Sequence, residues 1–140
     1  MTVFYDFLKD KRLGVISTLG AEGPQSALVG IAATPDLALI FDTVESSRKF
    51  ANLKRYPACS FVVGWEDERT LQYEGFAERV ESRADNPALA AYFAAWPDGV
   101  DRLNWAGIAH FVVRPLWLRY SDFDATPPRI EVWRSPEQGL

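Results

Sequence analysis

DTVESSRKFANLKRYP, residues 42–57, follows the strongly apolar run LALIF at residues 37–41. The run reads as a buried strand. Beyond Asp42-Thr43, Ser46 or Ser47 is placed to cap a helix, because a serine hydroxyl accepts from a free backbone N–H of the first turn. Phe50 and Leu53, spaced i, i+3, give that helix an apolar stripe, and Pro57 stops it. A second near-continuous apolar run, ACSFVVGW at residues 58–65, then suits a central strand. A short helix between two buried strands sets the pattern for the rest of the chain.

Arg48-Lys49 stands out in the first turn of this helix. A helix N-terminus is partially positive, so cations there cost roughly 0.3–1 kcal/mol at an exposed site. A bound anion recovers that cost: free N–H groups, the hydroxyls of Ser46 and Ser47 and two cations suit a phosphate. The competing reading is a solvated helix start with Glu45 as partial neutraliser.

Upstream, residues 2–10 (TVFYDFLKD) form a short helix capped by Thr2, with Phe4, Phe7 and Leu8 on one face. Residues 12–19 and 26–33 read as strands joined by the turn GAEGP. Gly30, inside the second, marks either the close approach of a ligand or a bend in a barrel strand. Downstream, Glu66-Asp67-Glu68 is a charged hairpin connection into a long strand over residues 69–81, bent at Gly75. Thr70 and Gln72 share a face of that strand, as ligand contacts or as its solvated side. Asn86-Pro87 opens a second helix, which ends at Trp96-Pro97. Residues 107–114 make another strand, continued beyond Pro115 to residue 120, and residues 129–133 a last short one before a loose tail. His110 shows no catalytic partner and reads as structural.

Six or seven strands at hairpin spacing and two substantial helices indicate a mainly β (α+β) fold. The expectation is a small antiparallel barrel with short flanking helices, one domain over residues 1–140. Composition agrees: 140 residues, 48% hydrophobic and 24% charged, support one soluble core. The 14% aromatic content, with five Trp, points to a flat ligand or an interface. A net charge of −4 and the lack of a basic stripe argue against nucleic acid. The single Cys59, in an apolar run, reads as core and fits a reducing cytosol. With no signal pattern and no apolar run of about 18 residues, no membrane segment is expected and the cytoplasm is the expected location. No metal site is read.

The order of parts resembles the pyridoxamine 5′-phosphate oxidase-like family of FMN-binding split barrels, from about residue 3 to residue 120. Three segments carry the resemblance: FDTVESSRK at residues 41–49 before the ANL helix and Pro57, EGFAERV at 74–80, and FVVRP at 111–115. It implies that Arg48 and Lys49 hold the FMN phosphate, with Thr43 reaching the same group, Asp42 adjacent and Ser47 among the hydroxyls. Ser26, Ala27, Leu28 and Val29 match the strand whose backbone lines the flavin ring. Thr70 falls where the pyridoxamine oxidases use glutamine, with Gln72 one same-face step along.

A homodimer with the flavin site at the subunit interface is implied as well. Trp65, Trp105 and Trp117 then cover the ring, fill the interface or pack in the core. The substrate-binding RLHDR segment of the pyridoxamine phosphate oxidases has no counterpart, and Ser121 stands about where their tryptophan is expected. The resemblance therefore implies an FMN-dependent oxidoreductase acting on a small, flat molecule other than pyridoxamine phosphate. No catalytic acid or base stands out. The alternatives are a non-catalytic flavin- or F420-binding module and a barrel without cofactor.

Overall fold

The computed structural model describes residues 2–136. Helix α1 (Thr2–Leu8) leads into the hairpin β1 (Leu13–Gly20) and β2 (Gly23–Gly30), then the two-residue β3 (Ala32–Ala33) and β4 (Leu39–Val44). Helix α2 (Arg48–Arg55), β5 (Ala58–Val63) and β6 (Arg69–Val80) follow. Short helical turns and α3 (Ala90–Ala95) occupy residues 87–104, before β7 (Ile108–Asp122) and β8 (Arg129–Arg134). The expected cap at Thr2 and the loose tail beyond residue 136 lie outside the described side chains and residues.

All strands join one antiparallel sheet in the order β2-β1-β5-β6-β7-β4-β3, with β8 also paired to β7. It curls into the expected split barrel, with eight strands instead of six or seven. The extra strand is β3, split from the run at residues 26–33, and the expected last strand is β8, which pairs with β7, a strand 15 residues long. One of its edges pairs with β6, while the other is shared, Ile108–Val113 bonding β4 and Trp117–Asp122 bonding β8. Gly75 marks the bend in β6, where the register shifts opposite Pro115. A Cβ at Gly75 would sit 2.3 Å from the Arg114 carbonyl oxygen, so the backbones cross there only because the side chain is absent.

Residues 26–33 do not form one strand: β2 ends at Gly30 and β3 restarts at Ala32. The strand breaks at Gly30, and the position also meets a side chain distant in sequence. Its Cβ position is occupied by the ring of Trp96, 2.8 Å away, whose Nε1 donates to the Ile31 carbonyl at 3.0 Å. The expected second helix is likewise broken into a 3₁₀ turn at Pro87–Leu89 and the six-residue α3.

Two apolar clusters result. Inside the barrel, Phe41 stacks on Phe111 with centroids 5.4 Å apart, and Phe61 meets Phe41 and Tyr73 edge-on. The Tyr73 hydroxyl lies 2.7 Å from the Leu37 carbonyl and 3.1 Å from that of Val113, so the one polar atom of this ring is satisfied. On the outer side of β3, β4 and β7, residues 87–104 bury Ile40, Val112, Leu89 and Tyr92 as a second cluster.

Candidate functional site

Strand alternation sorts the residues of β4. Leu39 and Phe41 belong to the barrel core, whereas Ile40 belongs to the outer cluster. Thr43 therefore faces inward, toward the start of α2, and Asp42 faces the 87–104 segment. Asp42 accepts from Arg102 Nε at 2.8 Å in a largely buried ion pair, and Arg102 also donates to Tyr92 Oη at 2.9 Å and Asp98 at 3.0 Å. Asp42 is thus a structural anchor beside the site.

The start of α2 gathers hydroxyls and cations. Ser47 is the N-cap, accepting from the Phe50 amide at 3.1 Å. Thr43 Oγ1 donates to Ser47 Oγ at 2.9 Å and accepts from Lys49 Nζ at 3.4 Å. No acidic residue lies in the first turn. Glu45, the expected neutraliser, instead pairs with Arg79 at 3.4 Å. Among the described residues Arg48 makes no ion pair. Loss of water holds the Lys49 ammonium below its ordinary pKa, with the Asp42 charge acting in the opposite sense.

These groups open on a pocket of about 80 Å³, formed by Thr18, Gln25, Ser26 and Ala27 of the β1–β2 hairpin and by Arg48 and Lys49. Asn52 fixes the two walls. Buried on α2, it donates from Nδ2 to Thr18 Oγ1 at 3.0 Å and to Gln25 Oε1 at 2.9 Å. Sequence reading passed over both Asn52 and Gln25. The available signal was an asparagine inside a short helix, where it is disfavoured without a specific partner.

Along β2, Ala27 and Val29 pack toward the core, while Ser26 and Leu28 face out. Ser26 shares a 2.9 Å hydrogen bond with Ser17, and Leu28 is 60% exposed. β2 ends the sheet, so no strand pairs with the far edge of its backbone.

Thr70 and Gln72 lie elsewhere. They share the outer face of β6 and line a separate hollow of about 270 Å³ with Ser60, Val62, Glu74 and Trp117. Within one chain they are not brought to Arg48 and Lys49. Trp65 and Trp105 are exposed at 53% and 56%, so neither packs in the core.

His110 is fully buried between Tyr92 and Phe93, its Nδ1 2.7 Å from Ser82 Oγ. Burial lowers its pKa, Asp42 acts against that shift and Arg102 adds to it. Burial also pushes the Cys59 thiol up to about 12, which leaves it unreactive. Among the described residues no group of His, Cys, Asp and Glu is placed to hold a metal ion, and no helix is long and apolar enough to cross a membrane.

Comparison with solved structures places the architecture. A pyridoxamine 5′-phosphate oxidase-related, FMN binding protein from Nostoc punctiforme superposes with a TM-score of 0.72 at 11% identity, over 99% of this chain and 91% of that one. A heme binding protein from Mycobacterium smegmatis gives 0.76 at 19% identity, over 94% of this chain and 56% of its own. An F420 reductase gives 0.65 at 25% identity, over 81% and 94%. No curated protein sequence matches the chain. The family model described as pyridoxamine 5′-phosphate oxidase matches residues 3–122, which include β1 to β7 and the whole of the α2 site. The chain belongs to the pyridoxamine 5′-phosphate oxidase family.

Proposed function

We propose that the protein is an FMN-binding oxidoreductase that works as a homodimer on a small flat molecule, with the phosphate of FMN held at the start of α2. The observation that carries this reading is the cluster of Thr43, Ser47 and Lys49, with Arg48 making no ion pair among the described residues and no acid in the turn. An ammonium deprived of water and a helix N-terminus without a counter-charge are both stabilised by a phosphate dianion. The donor set matches that group: hydroxyls, an ammonium, a guanidinium and free N–H groups.

The free backbone edge of β2 is available to the ring, with Ala27 and Ser26 at the pocket and Leu28 turned outward. When bound, FMN supplies the electron-accepting and electron-donating chemistry, and the chain supplies binding and electrostatics. Arg48 and Lys49 neutralise the phosphate. Asn52, through Thr18 and Gln25, keeps the hairpin at a fixed distance from α2.

The homodimer is supported by the outer face of the sheet. Leu13, Leu19, Leu28, Val62 and Phe76 are each 40% exposed or more on neighbouring strands, an apolar face that a second copy would cover. A second copy would also bring its own outer face, with Thr70 and Gln72, toward the first copy's flavin. The second reading is a flavin- or F420-binding module without turnover. It is favoured by the lining of the α2 pocket, which holds no carboxylate, histidine or cysteine and whose one titrating group, Lys49, is taken up by the phosphate in this reading.

Purified protein mixed with FMN and desalted tests the proposal. One flavin retained per chain, bleached by NADH or NADPH under anaerobic conditions over several turnovers, is the expected result. Retention without bleaching selects the binding module. No retention, with F420 bound instead, moves the cofactor assignment.

A further inference from the structure

Residues 87–104 grip the sheet at two points, and each point adjoins one part of the α2 site. At the first, the Trp96 ring fills the space beside Gly30, and its Nε1 donates to the Ile31 carbonyl at 3.0 Å. Arg12 closes this clasp. Its guanidinium carbon lies 4.0 Å from the indole centroid, its Nη1 donates to the Ala95 carbonyl at 2.8 Å, and its own carbonyl accepts from the Ile31 amide at 2.9 Å. The clasp holds the end of β2, an edge strand bonded to β1 alone, directly after Ser26–Val29. At the second point, Arg102 holds Asp42 in a largely buried ion pair at 2.8 Å. Asp42 directly precedes Thr43, whose hydroxyl joins Ser47 and Lys49, and its charge acts on the Lys49 ammonium. A carboxylate left uncompensated there would oppose a phosphate dianion, and Arg102 cancels it.

The link between the two grips is short and internally bonded. The Gly99 amide donates to the Trp96 carbonyl at 2.9 Å, that of Val100 to Pro97 at 3.3 Å and that of Trp105 to Arg102 at 2.9 Å, across two consecutive 3₁₀ turns. A link bonded in this way fixes the spacing between its ends. Binding groups placed before a ligand arrives lower the ordering cost of binding it. We propose that residues 87–104 are a positioning strap for the FMN site: Trp96 fixes the strand that meets the flavin ring, and Arg102 fixes and neutralises Asp42 behind the phosphate. The inference rests on the FMN reading above. Neither residue lines the α2 pocket, so Trp96 acts through the backbone of β2 and Arg102 through Asp42.

FMN and riboflavin are titrated into the full-length parent and its variants by flavin fluorescence, with the absorbance bands of bound flavin and the denaturant midpoint as companion readouts. Arg102→Gln leaves Asp42 charged and is expected to weaken FMN about tenfold, while riboflavin, which lacks the phosphate, stays within about twofold. Adding Asp42→Asn to Arg102→Gln is expected to recover most of the FMN affinity, because the opposing charge is gone. Trp96→Phe removes the N–H donor and part of the ring, and Gly30→Ala pushes a Cβ to 2.8 Å from the indole. Both are expected to weaken FMN and riboflavin alike, by about fivefold, and to shift the bound-flavin bands, which Arg102→Gln leaves in place. A role in stability alone lowers the midpoint but moves neither the ratio of the two affinities nor the bands. Equal losses of the two ligands in Arg102→Gln, or parent-like affinities and bands in Trp96→Phe, overturn the strap and leave the flavin reading standing. Should Arg102→Gln not fold, the affinities and bands of Trp96→Phe decide alone. A parent that binds no FMN overturns the flavin reading and the strap together.

Discussion

Lys49→Ala separates ligand binding from folding, because the structure gives this ammonium little to do in the cofactor-free protein. Its one hydrogen bond, to Thr43 Oγ1, is long at 3.4 Å, and the acidic charge that acts on it, Asp42, is engaged by Arg102 at 2.8 Å. Burial already disfavours its charged form. Removing it should leave the apoprotein as stable as the parent, within about 0.5 kcal/mol, the usual range for a substitution that breaks no buried network. FMN binding should behave differently. A charge-assisted hydrogen bond to a phosphate contributes about 1.5–3 kcal/mol, which corresponds to an affinity loss of roughly 10- to 150-fold. Calorimetric titration with FMN at low salt measures it, and riboflavin, which lacks the phosphate, is the control. The loss should be large for FMN and near zero for riboflavin. Equal losses for the two ligands, or none for FMN, would refute a phosphate site at α2. A large fall in apoprotein stability would show instead that Lys49 holds the fold.

Three further outcomes follow from the same coordinates. Arg48→Glu places a carboxylate where a dianion is to sit, and should weaken FMN more than Lys49→Ala does; parent-like affinity would put the anchor elsewhere. FMN affinity should fall at alkaline pH, beginning below 10.5, the ordinary lysine value, because Lys49 has a lowered pKa and loses its proton early. The sign is checked by proton uptake on binding at high pH, which is expected because phosphate favours the ammonium; proton release would contradict it. Gly75→Ala forces a Cβ to within 2.3 Å of the Arg114 carbonyl oxygen, so β6 and β7 must part at the bulge. A loss of about 1–3 kcal/mol in denaturant unfolding is expected, and an unchanged midpoint would mean that the crossing is looser than described.

How much of this was legible in the sequence depended on whether the cause was local. The α2 helix was readable because its cap, stripe and stop are set within Ser47, Phe50, Leu53 and Pro57. The bend at Gly75 was readable from the glycine alone, although what requires it, the Arg114 carbonyl of β7, is distant in sequence. The role of Gly30 was not, because its cause is the Trp96 ring, 66 positions away and delivered by a broken helix. Asp42 was grouped with Thr43 as its neighbour, yet alternation along β4 sends it to Arg102, 60 residues on. Chain proximity and spatial proximity differ most where successive side chains leave opposite faces of a sheet. The eighth strand, β3, was not foreseen, since nothing local in SALVGIAA says that pairing passes from β1 to β4 within that run.

The double duty of β7 governs when the protein can fold during synthesis. Until residues 108–122 have emerged, the β4 edge and the β6 edge that they will join stay unpaired, and the barrel has no closing seam. A nascent chain ending at residue 107 would therefore hold two exposed strand edges and an open apolar interior, the kind of surface that templates aggregation or recruits chaperones. Partners such as Leu39 and Val113 lie far apart in sequence, so closure is a late and slow event set by topology. Pulse proteolysis of ribosome-stalled chains should show protection arising in one step once β7 is free. Protection already present at residue 107 would place the folding nucleus in the β1–β2–β5 part of the sheet instead.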